Sequence, residues 1–376
     1  MNVILLAPYD FSSMKGNTIR PALQCLSLVK NGFSAFELRS RVPISSVGYQ
    51  QSKVRHGFWS WIPSIFRPLG VSNYLFDMPF GKKIEVDSSQ TIVHAHNFYT
   101  FFLIPKNCIR IADLHTFKYN EMYFNYSDSE KHPNLFKRWI YKRLFAPIVR
   151  VLEKRICCQA DKVIVASTNV GEVLADAFQI SPDKFVCINN MVEVDKFTVN
   201  QHNEPFRIGV VGSFKDQLNK EVIPEVLKIA ALTPLSIVLI GSILEEDAKV
   251  FETFPNVRVL GRVSDEVYKN WMSKMSVLLA PYTIHRQGGG SRNKLIEAAV
   301  SATPIVTTLG GAEGFGGMNL LRVGDSTASL VEQIEALQNA DIRRALGQKL
   351  REYAIENFDC ETEGKKLIAV YESLCK

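Results

Sequence analysis

The chain has 376 residues, more than one ordinary hydrophobic core holds and suited to two domains of roughly 150 to 200 residues each. Hydrophobic residues make up 46% and charged residues 22%, the balance of a soluble globular protein. A net charge of +6, with no recognisable recognition module, excludes nucleic acid as a partner, and no run approaches the ~18 apolar residues of a membrane span.

The first apolar run, Val3 to Ala7, reads as a buried strand; it is too short for a signal-peptide core and no basic segment precedes it. The loop "APYDFSSMKGNTIR" after it supplies Gly16, Asn17 and Arg20 at a strand-to-helix junction. Further strands are expected near 34–38, 91–95, 108–112, 162–166 and 185–188, while residues 41–90 show no period. In "TIVHAHNFYT", alternation puts His94 and His96 on one face. No Asp, Glu or Cys set has matching ligand spacing, so no metal is expected there. His96 and His115 are expected to line a cleft and His94 to be packed. Asp113, two residues before His115, either orients that ring, acts as a base, or is a strand-end turn residue.

The segment "NLFKRWIYKRLFAPIVRVLEKRI" sets seven cations, Lys137, Arg138, Lys142, Arg143, Arg150, Lys154 and Arg155, against Glu153 alone. Ile140, Leu144, Ile148 and Val151 share one helical stripe. Such a helix lies on an anionic membrane surface, or packs its stripe on the core and leaves a solvated basic face. Pro147 is expected to break or kink it. The aromatic, basic stretch at 56–76 fits the same lipid surface.

After "NNMVEVDKF", the polar residues 200–205 read as an interdomain linker, placing the domains at 1–198 and 199–360, with a last helix at 361–374 returning to the first domain. A second strand series is expected near 207–211, 236–240, 257–260, 277–280 and 304–307. The alternation of strands and helices implies an α/β chain with two parallel sheets, and ligands gather at the carboxyl ends of such strands. The seven cysteines include no C-x-x-C pair and are odd in number, as in a reduced cytoplasmic protein.

Gly288-Gly289-Gly290 lies between a strand and a helix whose expected N-cap is Ser291. Glycine permits close backbone approach, and the first free N–H groups of a helix attract anions. Arg292 and Lys294 fall in the first turn, where the macrodipole disfavours cations unless an anion is present. Glu297, among apolar neighbours, needs hydrogen-bond partners such as the paired hydroxyls of a ribose. "GGAEGF" at 310–315 forms another strand-end loop, with Glu313 either a sugar contact or a cap.

"GGGSRNKLIEAAVSATPIVTTLGGAEGF", with "VGSF", "ADKVIVAST", "KFVCINNMVEVDKF" and "IADLHTF", resembles the retaining glycosyltransferases of the GT-B architecture, family 4. The resemblance spans most of the chain. It implies two Rossmann-like domains with parallel sheets facing a central cleft, and transfer of a sugar from a nucleotide diphosphate sugar to a glycan or lipid-linked glycan. The implied setting is cytoplasmic, peripheral on the inner face of a membrane, in cell-surface polysaccharide or glycoconjugate synthesis. No cofactor is implied beyond that co-substrate. Glu297 matches the glutamate that holds the ribose, the backbone from Gly290 to Arg292 flanks the donor, Lys220 matches the diphosphate lysine and His115 the histidine facing the donor sugar. Two positions depart from the pattern. Gly289 stands where the family has a first glutamate, and Ser213 where it often has an arginine. These departures favour a second reading, a non-catalytic subunit that binds nucleotide-sugar.

Overall fold

The computed structural model describes residues 2–10, 16–42, 50–53, 84–86, 89–96, 100–125, 134–201, 205–215, 220–282 and 288–375. The unassigned segment 41–90 and the stretch 56–76 lie largely or wholly outside them. The chain forms two compact units, Met1–Met191 with Cys360–Lys376, and Val192–Asp359.

In the first unit, β1 (Asn2–Asp10), β2 (Phe36–Val42), β3 (Gln50–Lys53), β4 (Thr91–His96), β5 (Ile109–Leu114), β6 (Lys162–Val165) and β7 (Phe185–Cys187) make a parallel sheet of order β3-β2-β1-β4-β5-β6-β7. The strand β3 was not expected, because "QQSK" is polar throughout and carries no alternation. Val3 to Ala7 and all of β4 are buried, as strands covered on both faces must be. Among the described residues the covering helices are α1 (Gly16–Lys30), α2 (Lys118–Asn125), α3 (Leu135–Ile140), α4 (Ala146–Gln159) and α5 (Thr168–Phe178). A π-helical turn, Tyr141–Phe145, joins α3 to α4. Pro147 therefore closely follows a π-helical turn in a run that stays helical on both sides, and such a turn is where a helix bends around a residue that breaks the ladder.

In the second unit, β8 (Arg207–Val211), β9 (Ser236–Ile240), β10 (Val257–Gly261), β11 (Val277–Ala280), β12 (Ile305–Thr307) and β13 (Arg322–Val323) form a parallel sheet of order β10-β9-β8-β11-β12-β13. Its described helices are α6 (Val222–Leu232), α7 (Glu245–Phe251), α8 (Asp265–Met272), α9 (Asn293–Val300), α10 (Leu309–Ala312), α11 (Thr327–Ala336) and α12 (Ala340–Phe358). Ser264, Ser326 and Asn339 cap α8, α11 and α12 through their side chains, each satisfying amides that a helix start leaves unpaired.

The polar stretch read as a linker begins as part of the second unit. Asn200 is buried, and its side-chain amide donates to Thr303 Oγ1 at 3.0 Å and to the Met275 carbonyl. The chain passes between units at Met191 and Val192 instead. The last helix, α13 (Cys360–Leu374), packs on α1 in the first unit. Gly364 allows that approach, since a Cβ there would stand 2.6 Å from Asn31 Nδ2 and 2.8 Å from Ser27 Cβ.

Each sheet changes direction of strand order once, between β1 and β4 and between β8 and β11. Ligands in open α/β sheets bind beyond the carboxyl ends of the strands at such switch points. The residues singled out in the sequence gather there.

Candidate functional site

In the second unit, β8 ends at Val211 and β11 at Ala280, side by side. Tyr282, two residues beyond β11, is buried and organises the cations. The Arg292 guanidinium lies 3.6 Å from the centroid of its ring, a cation–π stack. Lys294 Nζ donates to the Val211 carbonyl at 2.6 Å and to the Tyr282 hydroxyl. Both cations are thereby held at the switch point.

The expected cap is corrected by one residue. Arg292, not Ser291, is the N-cap of α9, with extended backbone angles and no side-chain cap bond. Ser291 is buried just before it. Arginine cannot accept a hydrogen bond, so the first amides of α9 go uncapped by that side chain and remain suited to an anion.

Glu313, at the end of α10, is buried. Its Oε1 accepts from Gly288 N at 2.7 Å and Gly289 N at 2.9 Å. The carboxylate thus fixes the glycine loop from beneath. Glu297, one turn along α9 from Lys294, accepts from the Tyr268 hydroxyl. Burial pushes its carboxyl up to about 7, although the Tyr268 bond and Lys294 pull the other way. Burial and the same carboxylate push the Tyr268 phenol well above its ordinary value. Ser213 lies two residues beyond β8 and is partly buried. Lys220 pairs with acids of α7, its Nζ 3.2 Å from Asp247 and 3.6 Å from Glu246.

In the first unit, Asp113 near the end of β5 is the centre of a buried polar network. Arg20 Nε donates to both of its oxygens, at 3.0 and 3.2 Å, and Gln24 Nε2 donates to Oδ2 at 2.9 Å. His94 Nε2 lies 3.3 Å from Oδ2, and its Nδ1 2.7 Å from the Tyr371 hydroxyl on α13. A carboxylate only accepts. His94 therefore donates from Nε2, and in the neutral ring Nδ1 accepts from Tyr371. Arg20 also donates to Asn190 at 3.2 Å.

His96, expected to line a cleft, is fully buried and stacks on His94 with centroids 4.7 Å apart. Burial next to His94 holds its pKa well below the ordinary value. His115 is partly exposed; its Nε2 stands 3.6 Å from Asp113 Oδ1, beyond hydrogen-bond reach. Burial lowers its pKa to about 4 against the opposing pull of Asp113. With that pKa the ring is uncharged near pH 7. Burial alone would raise the Asp113 carboxyl, but Arg20, the His94 bond and the neighbouring rings hold it well below the usual range.

His94, His96 and Asp113 bring one ligand atom each, three in all, within 4.8 Å of one another. Arg20 Nε is shared between both Asp113 oxygens, which pairs that carboxylate with a buried guanidinium. Gly16 and Asn17 open α1; their side chains lie outside the described residues.

Residues 53–196 match the family described as Glycosyltransferase Family 4, and residues 205–340 that described as Glycosyl transferases group 1. The chain carries the two domains of a GT-B glycosyltransferase. Solved structures share the fold across its length. Sucrose-phosphate synthase from Thermosynechococcus elongatus is 16% identical, with 100% of this chain and 99% of that one covered and a TM-score of 0.70. A glycosyltransferase from Rickettsia africae is 13% identical, with coverage of 100% and 98% and a TM-score of 0.63. Anabaena HepE in complex with UDP-glucose is 13% identical, with coverage of 99% and 100% and a TM-score of 0.62. No curated protein sequence matches the chain.

In this glycosyltransferase the structure brings Gly289, Gly290, Ser291, Arg292, Lys294 and Glu313 together around one loop. Lys220 is engaged by α7. Around Asp113 it collects Arg20, His96 and His115. Reading the sequence missed Gln24, Tyr268, Tyr282, Asn190 and Tyr371. Only Gln24 left a signal: it lies one helical turn after Arg20 on α1, a polar pair on one face.

Proposed function

We propose that the protein transfers a sugar, with retention of configuration, from a nucleotide diphosphate sugar to a hydroxyl of a glycan or lipid-linked glycan, in cell-surface polysaccharide or glycoconjugate synthesis. The observation that carries this reading is the convergence of Arg292 and Lys294 on Tyr282 beside the start of α9. There the departing diphosphate would meet two cations and helix N–H groups, the stabilisation that a developing anion requires. The leaving-group charge is met without a metal. Glu297, on the same helix, would accept from the ribose hydroxyls through its carboxylate. The incoming hydroxyl would be activated by the donor diphosphate itself. His115, neutral near pH 7, would donate a hydrogen bond to the donor sugar, and Asp113 would act beside it by holding Arg20 and His94 in place.

The test is a thermal-shift screen against UDP-, GDP-, ADP-, CMP- and dTDP-sugars, since a ligand bound only to the folded state raises apparent stability. A shift with one nucleotide class, lost in Glu297→Ala, is the expected result, followed by transfer to a hydroxyl acceptor. No shift with any of them would sink the donor site. The second reading, a non-catalytic nucleotide-sugar-binding subunit, is favoured by Gly289 and Ser213, and predicts the shift with no transfer to any acceptor.

A further inference from the structure

We propose that Glu153 is a positioning residue for His115: its carboxyl group fixes the start of α2, and with it the short turn that carries the His115 ring. The helical run that holds Glu153 turns its apolar stripe outward, with Leu144 51%, Ile148 43% and Val151 67% exposed, yet buries Glu153 completely. That acid is the only one between residues 134 and 159. A glutamate is almost never fully buried unless it is paired, so its partners say what it is there for.

The partners are two backbone amides. One oxygen of Glu153, Oε1, accepts from Lys118 N at 2.6 Å and the other, Oε2, from Tyr119 N at 2.9 Å. These are the first two amides of α2, which no carbonyl within the helix reaches. Phe117 stands at the cap position: its carbonyl accepts from Glu121 N at 3.1 Å, and its buried ring packs edge-on to Phe178. A phenyl ring offers no acceptor, so an acid from α4 supplies the cap instead. Burial pushes the Glu153 carboxyl up to about 8, against the pull of both amides and of Lys118, a cost that an ordinary serine cap avoids.

His115 lies between two fixed points. Leu114, the last residue of β5, pairs with Val165 on β6, and α2 begins at Lys118. Only Thr116 and Phe117 separate the ring from the helix start. Asp113 Oδ1 stands 3.6 Å from His115 Nε2, too far to hold the ring, so its place follows from the backbone on either side. Thr116 Oγ1 donates to Glu121 Oε2 at 3.0 Å and ties the same turn to α2. Loosening the first turn of α2 would free that side and leave the β5 side intact.

The kinetic part of the test rests on the reading that His115 meets the donor sugar; the spectroscopic part does not. The variants are Glu153→Gln, in which an NH2 group that cannot accept replaces one oxygen, and Glu153→Asp, which draws both oxygens back by one methylene. Circular dichroism checks that each folds. Imidazole spectra of histidine-labelled protein, with the His115 signal assigned by its loss in His115→Asn, should show that signal moved in both variants at neutral pH. With the nucleotide-sugar that raises the melting temperature, Glu153→Gln should lower kcat about tenfold, within what a small misplacement of a reacting group costs, and leave nucleotide affinity unchanged. In the His115→Asn background the same substitution should change kcat by less than about twofold, because the two residues act as one unit. An unmoved His115 signal would overturn the proposal. So would equal falls of kcat in the two backgrounds, which a cap acting on stability alone would give. If His115→Asn itself leaves kcat unchanged while the Glu153 variants move the signal, the positioning holds and the sugar contact does not.

Discussion

The Glu313 carboxylate fills the space that a side chain at Gly289 would need: a Cβ there would lie 3.2 Å from the Glu313 carboxyl carbon and 3.3 Å from its Oε2. The glycine is favoured by a neighbouring acid, which would have to give by a few tenths of an ångström to admit a methyl group, rather than by an unusual backbone angle. Gly289→Ala should therefore crowd the Glu313 carboxylate against the loop amides and lower stability by about 1 kcal/mol, the low end of what overpacking costs. Glu313→Ala should cost more, about 1–3 kcal/mol, because the Gly288 and Gly289 amides lose their acceptor. Glu313→Gln keeps an acceptor oxygen and should cost less than half as much. Urea unfolding midpoints of the three variants check this order.

Arg20 and Asp113 are both buried, and each is the other's main countercharge. Asp113→Ala would leave a guanidinium buried without its partner, which costs about 3–5 kcal/mol. Replacing both, as Arg20→Met with Asp113→Leu, should recover a substantial part of that loss. A double variant as unstable as the single one would show that the network, not the pair, carries the stability.

His115 tests the reading of a neutral ring. Its pKa is lowered from the ordinary 6.5 to about 4, so the folded state binds this proton less readily than the unfolded one. Its contribution is complete above 6.5 and is lost as pH falls through 4. In His115→Asn the acid-side decline of stability should be shallower. If the ring donates to the donor sugar, the same variant should lower kcat by tenfold to a hundredfold, about 1.4–3 kcal/mol, near neutral pH, where the ring is uncharged in either case.

Glu297 has the opposite sign. Its folded pKa is raised from the ordinary 4.5 to about 7, so the folded state holds the proton longer and stability falls as pH rises from 4.5 through 7. Donor affinity should run the other way, because a carboxylate accepts from two ribose hydroxyls and a protonated acid does so less well. Calorimetric titration with the nucleotide that shifts the melting temperature should show binding tightening as pH rises through 7. In Glu297→Gln both dependences should flatten. Affinity independent of pH in the wild type would count against the ribose contact.

The sequence by itself determined most of the secondary structure and the α/β class, because fully buried parallel strands are written as short apolar runs such as Val3 to Ala7 and Val277 to Ala280, bounded by turn residues. It also marked the glycine loop, the two cations after it and Glu297, since these lie within ten residues of one another on one strand-loop-helix junction. β3 and β13 were not legible; a polar four-residue strand and a two-residue strand carry no periodicity. Local pattern equally could not say which way the Leu144, Ile148 and Val151 stripe faces, since a helix with two apolar sides has the same spacing in either orientation. What only the tertiary structure decided are contacts between residues far apart in the chain: Tyr282 under Arg292 and Lys294, Tyr268 on Glu297, Tyr371 on His94, and Arg20 on Asp113. Each satisfies a buried polar group, and burial is a property of the packed chain. The partner of such a group is set by which elements pack together, and no local spacing encodes it.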